Sequence, residues 1–74
     1  MTTTIVHAAF VDPYSKPVTA WVQLAEEAQR KRLYALAARY WLFVETVSTS
    51  RIRAGNANKA RATCLTALQQ STQH

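Results

Sequence analysis

The chain has 74 residues, a mass of 8.3 kDa and a formal net charge of +5, with nine Lys and Arg against four Asp and Glu. That length allows a single domain, and a core so small needs a disulfide, a metal or a partner to hold it. Cys64 is the one cysteine and His7 and His74 are the only histidines, so no internal disulfide and no ligand cluster of recognisable spacing can form. One Gly and two Pro argue against a turn-rich all-β domain, and the positive charge argues against an acidic mimic of DNA.

Residues 1–16 read as an extended N-terminal arm. Thr2, Thr3, Thr4, Ile5, Val6, Phe10 and Val11 favour a strand-like backbone, but a lone strand must pair with another chain or pack as an arm. Asp12, Pro13, Tyr14 and Ser15 then signal a turn.

Residues 17–70 read as a three-helix domain. The first helix starts near Pro17, because proline at the first helical position loses no hydrogen bond. Trp21, Leu24, Ala25 and Ala28 give it one apolar stripe. Arg30, Lys31 and Arg32 are expected in its last turn, where cations complement the negative end of the helix dipole.

The second helix is predicted over about 33–48 and has two apolar faces. Tyr34, Ala37, Ala38, Trp41 and Val44 form one; Leu33, Leu36, Tyr40, Phe43 and Val47 form the other. A helix that is apolar nearly all round is buried on several sides. One neighbour cannot cover both faces, so Leu33, Leu36, Tyr40, Phe43 and Val47 are the expected interface for a partner or a second copy.

Residues 48–56 read as a loop carrying Arg51 and Arg53, with Asn56 as the N-cap of a third helix running to about residue 70. That helix has a narrow stripe of small residues, including Ala57, Ala60 and Cys64, suited to close approach to a bulky neighbour. Residues 71–74 are expected to fray. The expected core is Trp21, Leu24, Ala37, Trp41 and Cys64.

The charge is unevenly placed. Residues 1–29 hold Lys16 against Asp12, Glu26 and Glu27. Residues 30–61 hold Arg30, Lys31, Arg32, Arg39, Arg51, Arg53, Lys59 and Arg61 against Glu45. A basic half points to an anionic partner or to a solvated surface, and Arg51, Arg53, Lys59 and Arg61 are the candidate contacts. No basic n-region or apolar run of about 18 residues is present, so the expectation is a cytoplasmic protein with no membrane partner.

Catalytic chemistry lacks its residues. Glu26 and Glu27 are adjacent, so they diverge on a helix and cannot form a carboxylate pair. One Gly cannot make a phosphate loop. Cys64 has no basic partner in sequence and reads as a small buried hydrophobe. The expectation is a protein that is not an enzyme, with no metal, no cofactor and no small-molecule substrate.

Two resemblances follow from spacing. Trp21, Leu24 and Ala25, then Ala37, Trp41 and Val44, resemble one tetratricopeptide unit: an antiparallel hairpin in which small residues admit close approach and aromatics fill the gap. Ala28 stands at the usual tyrosine, no proline closes the unit, and no second copy exists, so the likeness implies a hairpin and not an array. With the third helix added, Ala25, Ala28, Leu33, Tyr34, Ala37, Ala38 and Trp41, then Asn56, Arg61 and Cys64, resemble the small AraC negative regulator family and the related PerC-like regulators, over residues 20–68. Those families usually have a glycine between the first two helices, where this chain has Lys31 and Arg32, and an aromatic early in the third helix.

The resemblance implies a small helical regulator, encoded by a phage, a plasmid or an enterobacterium, that controls transcription. One branch holds AraC-type activators; the other activates promoters. The expectation is therefore an all-α domain, dimeric or in complex, that binds a host regulatory protein. Direct DNA binding, inhibition of another host protein by a phage- or plasmid-encoded chain, and a purely structural assembly role are the alternatives.

Overall fold

The computed structural model describes residues 11–71. Most of the expected N-terminal arm and nearly all of the expected frayed end therefore lie outside the described residues. The remainder is all-α, with three helices and, among the described residues, no strand.

A short 3-10 turn, Pro13–Ser15, comes first. The Asp12 carboxylate accepts from the Tyr14 backbone N–H at 2.9 Å, and the Ser15 hydroxyl donates to the Asp12 carbonyl at 2.7 Å. Helix α1 follows over Val18–Arg30. Pro17 is its N-cap and not its first helical residue; its carbonyl accepts from the Ala20 and Trp21 N–H groups.

Helix α1 ends in a Schellman motif. The Leu33 N–H reaches back to the Ala28 carbonyl at 2.8 Å, and the Arg32 N–H to Gln29 at 3.0 Å. The motif needs a left-handed residue at the position after the cap. Arg32 supplies it with φ 63°, the only positive φ among the described residues. Of the expected basic last turn, only Arg30 is helical: Lys31 is the C-cap and Arg32 lies beyond the helix.

Helix α2 spans Tyr34–Val47 and α3 spans Arg51–Ser71. The expected loop over 48–56 is only three residues long. Ser50 caps α3: its hydroxyl accepts from the Arg53 N–H at 3.3 Å and its carbonyl accepts from Ala54 at 3.0 Å. Ser48 supports it, accepting from the Ser50 N–H at 3.2 Å. Asn56 is therefore in the second turn of α3 and caps nothing. The inward stripe of α3 begins at Ala54 and continues through Ala57, Arg61, Cys64 and Leu68, so packing carries the helix across Gly55 despite that residue's cost of about 1 kcal/mol.

The three helices form one thin layer. Helix α2 is central and packs along both α1 and α3, which scarcely meet each other. The molecule measures 37 × 36 × 16 Å.

The core is small for the same reason. Ala28, Ala37, Ala38 and Cys64 form one cluster, with Tyr34, Tyr40 and Trp41 against it. Trp21, Val44 and Ala57 form the other. Alanines let the helices approach, and Trp21 is the one large aromatic among the described residues that is fully buried. Its indole N–H donates to the Pro13 carbonyl at 2.7 Å, which ties the 3-10 turn to α1. The Trp41 indole N–H donates to the Gln29 side chain at 3.0 Å and ties α2 to α1. Of the expected core, Trp21, Ala37 and Cys64 are buried; Leu24 and Trp41 are half-buried.

Candidate protein-binding face

The second apolar face of α2 divides. Tyr40, Phe43 and Val47 turn toward α1 and pack on the cluster around Trp21. The ring centroids of Trp21 and Phe43 lie 4.7 Å apart, edge to face, and those of Trp21 and Tyr40 lie 5.7 Å apart. These three are half-buried. Leu33 and Leu36 stay open, with 49% and 40% of their surface exposed. A groove of about 200 Å³ runs between them, Leu24, Ala28 and Tyr40, with Glu27 and Lys31 also lining it.

The open side of α2 extends beyond those two leucines. At 100° per residue, Ala35, Arg39, Leu42 and Thr46 form one line up the helix, beside Leu36. All five are exposed. Leu42 has 44% of its surface in solvent. Helix α3 continues this face. Glu45 accepts from Arg61 Nε at 2.7 Å and from Asn58 Nδ2 at 3.2 Å, which sets the Asn58–Arg61 side of α3 against the outer shoulder of α2. Leu65 is one turn beyond Arg61 on that side and is 45% exposed.

The charges on this face are mostly satisfied within the chain. Lys31 pairs with Glu27 at 3.2 Å and Arg61 with Glu45 at 2.7 Å. Arg39 stands between Leu36 and Leu42 with no carboxylate of the described residues within salt-bridge distance. The sequence alone marks Arg39 only as one of the basic residues of 30–61 and puts Leu42 on neither apolar face. The line Ala35, Arg39, Leu42, Thr46 was the available signal, but only the placement of α1 and α3 shows which line of α2 stays uncovered.

The expected anion contacts do not form one site. Arg61 is engaged by Glu45. Arg51, Arg53 and Lys59 are exposed on α3, but Arg53 points about 160° away from Arg51 around the helix. Among the described residues no three of His, Cys, Asp and Glu come together to hold a metal. Burial raises the Cys64 thiol above its ordinary value, which disfavours the nucleophilic thiolate. No described helix is long and apolar enough to cross a membrane. Comparison with protein-family models, with curated proteins and with solved structures finds no match to this chain.

Proposed function

We propose that the protein is a small regulator that acts by direct contact with another protein, through the uncovered face of α2. One observation carries this reading. A helix with apolar residues all round is flanked on two sides in a single layer, and its third side presents leucines to solvent. Globular domains bury such a side under a second layer.

The resemblance to AraC negative regulators and PerC-like proteins supplies the regulatory context. Its residues Tyr34, Ala37, Ala38, Trp41 and Cys64 are those that hold α2 against its neighbours, and Arg61 forms the ion pair to Glu45. The likeness is therefore one of packing, and the proposed target is an AraC-type activator or another host regulatory protein. A reporter driven by an AraC-type activator tests this. Co-expression of the wild type should change reporter output, and Leu36→Asp/Leu42→Asp, at equal abundance and helicity, should not. Equal effects from both proteins would remove the face from the function.

A second reading rests on α3. That helix carries four cations and no carboxylate, and Arg51, Arg53 and Lys59 make no ion pair among the described residues. Direct binding to DNA predicts affinity that falls steeply with salt, by a log–log slope of about −0.9 per neutralised phosphate. Fluorescence anisotropy at two salt concentrations distinguishes it: absence of binding at low salt removes this reading.

A further inference from the structure

We infer that the partner seated on this face is an amphipathic helix that carries an aspartate or glutamate within its apolar stripe. The inference rests on the protein-binding reading above and narrows it to a chemical class.

Shape comes first. The slope between α1 and α2 is grooved along Leu24, Leu33 and Leu36, a shape suited to a helix whose apolar residues recur every three or four positions.

Charge then separates the occupants. Arg39 is central to the face, between Leu36 and Leu42. Covering it with an apolar surface would strand a guanidinium without a counter-charge, so whatever covers it must bring a carboxylate. A second copy does not meet that need. A two-fold dimer on this face sets the same patch against itself. Both copies would bring Arg39, while the carboxylates on this side, Glu27 and Glu45, are already paired with Lys31 and Arg61; Glu26 projects about 160° away from Leu24 around α1, and Asp12 caps the 3-10 turn. A different chain with an acidic residue among its leucines satisfies the arginine bidentately and the leucines by burial.

The test uses a phage-displayed library of helical peptides three heptads long, apolar at a and d and randomised at the positions flanking the central d. Wild type, Arg39→Glu and Leu36→Asp/Leu42→Asp proteins serve as bait, each first shown to be helical by circular dichroism. Wild type should enrich Asp and Glu at a randomised position, Arg39→Glu should enrich Lys and Arg there, and the double aspartate variant should enrich nothing. The leading wild-type peptide, synthesised, should bind Arg39→Glu at least tenfold more weakly. No enrichment by wild type, or the same residues enriched by Arg39→Glu, would overturn the inference. So would a wild-type dimer in sedimentation equilibrium that Leu36→Asp/Leu42→Asp converts to monomer, because the face then belongs to a second copy. The reporter experiment separates the two levels. If the library fails while the reporter still distinguishes the double variant, protein binding stands and only the acidic helix falls.

Discussion

Arg32 occupies a position that favours glycine, and the cost of that can be measured. Its φ of 63° is left-handed. An L side chain there costs about 1–2 kcal/mol, from the clash of Cβ with the following carbonyl. Arg32→Gly removes the clash, but glycine loses about 0.4–1 kcal/mol more backbone entropy on folding. The net gain over an uncharged L residue at this position is about 0.5–1 kcal/mol, or about 2–8 °C in Tm for a domain of this size. Both Schellman hydrogen bonds are made by backbone atoms, so the substitution keeps them. Arg32→Ala is the control: it removes the charge and keeps the strain. Both variants forfeit a favourable charge at the helix C-terminus, worth about 0.3–1 kcal/mol, so Arg32→Ala should melt at or slightly below wild type and Arg32→Gly above Arg32→Ala. Far-UV circular dichroism during heating and urea titration reads both variants. If Arg32→Gly melts no higher than Arg32→Ala, the left-handed residue is not a source of strain and the reasoning fails.

Gly55→Ala should also stabilise, by up to about 1 kcal/mol, because Gly55 is inside α3 and nothing lies within 4 Å of where a Cβ would go; urea midpoints check it. Trp21→Phe keeps an aromatic ring in the core but loses the indole bond to Pro13, so it should cost at least about 1 kcal/mol, while Trp21→Ala should cost about 3–5 kcal/mol and leave the chain largely unfolded. Cys64 should resist a thiol reagent in the native protein and react on addition of urea, with the rate tracking the unfolded fraction. The folded thiol value is raised, so the native state holds its proton where the unfolded chain has lost it. Stability should therefore fall as pH rises from the ordinary thiol value, about 8.5, toward the raised folded value, and Cys64→Ala should lose that part of the alkaline destabilisation.

Much of the fold was legible because α1 and α2 declare themselves by spacing. Trp21, Ala25 and Ala28 recur as one stripe and are all buried, and Ala37, Ala38 and Val44 do the same on α2. The start of α3 was misread because local residue preference was set against packing. Gly55 and Asn56 suggest a break, but Ser50 caps the helix five residues earlier and Ala54 and Ala57 extend its inward stripe. Gly55 costs about 1 kcal/mol in a helix interior, too little to stop a helix that is already capped and packed.

The face was harder to read, for a reason of geometry. Periodicity says which residues of a helix share a side, but not where its neighbours sit. Leu33, Leu36, Tyr40, Phe43 and Val47 share a side of α2, yet α1 approaches at the level of Trp21 and draws in only the last three. Had α3 stacked across α1 and α2 in the manner of a compact bundle, Leu36 or Leu42 would be core and Arg39 would lie at a rim. Because α1 and α3 instead flank α2, the most apolar helix in the chain lies at the centre of a layer 16 Å thick, with an arginine at the middle of its open side. Water holds that arginine at little cost while the face is bare. Any protein that covers the leucines must also answer the guanidinium, so Arg39 restricts the chemistry of a surface that could seat there.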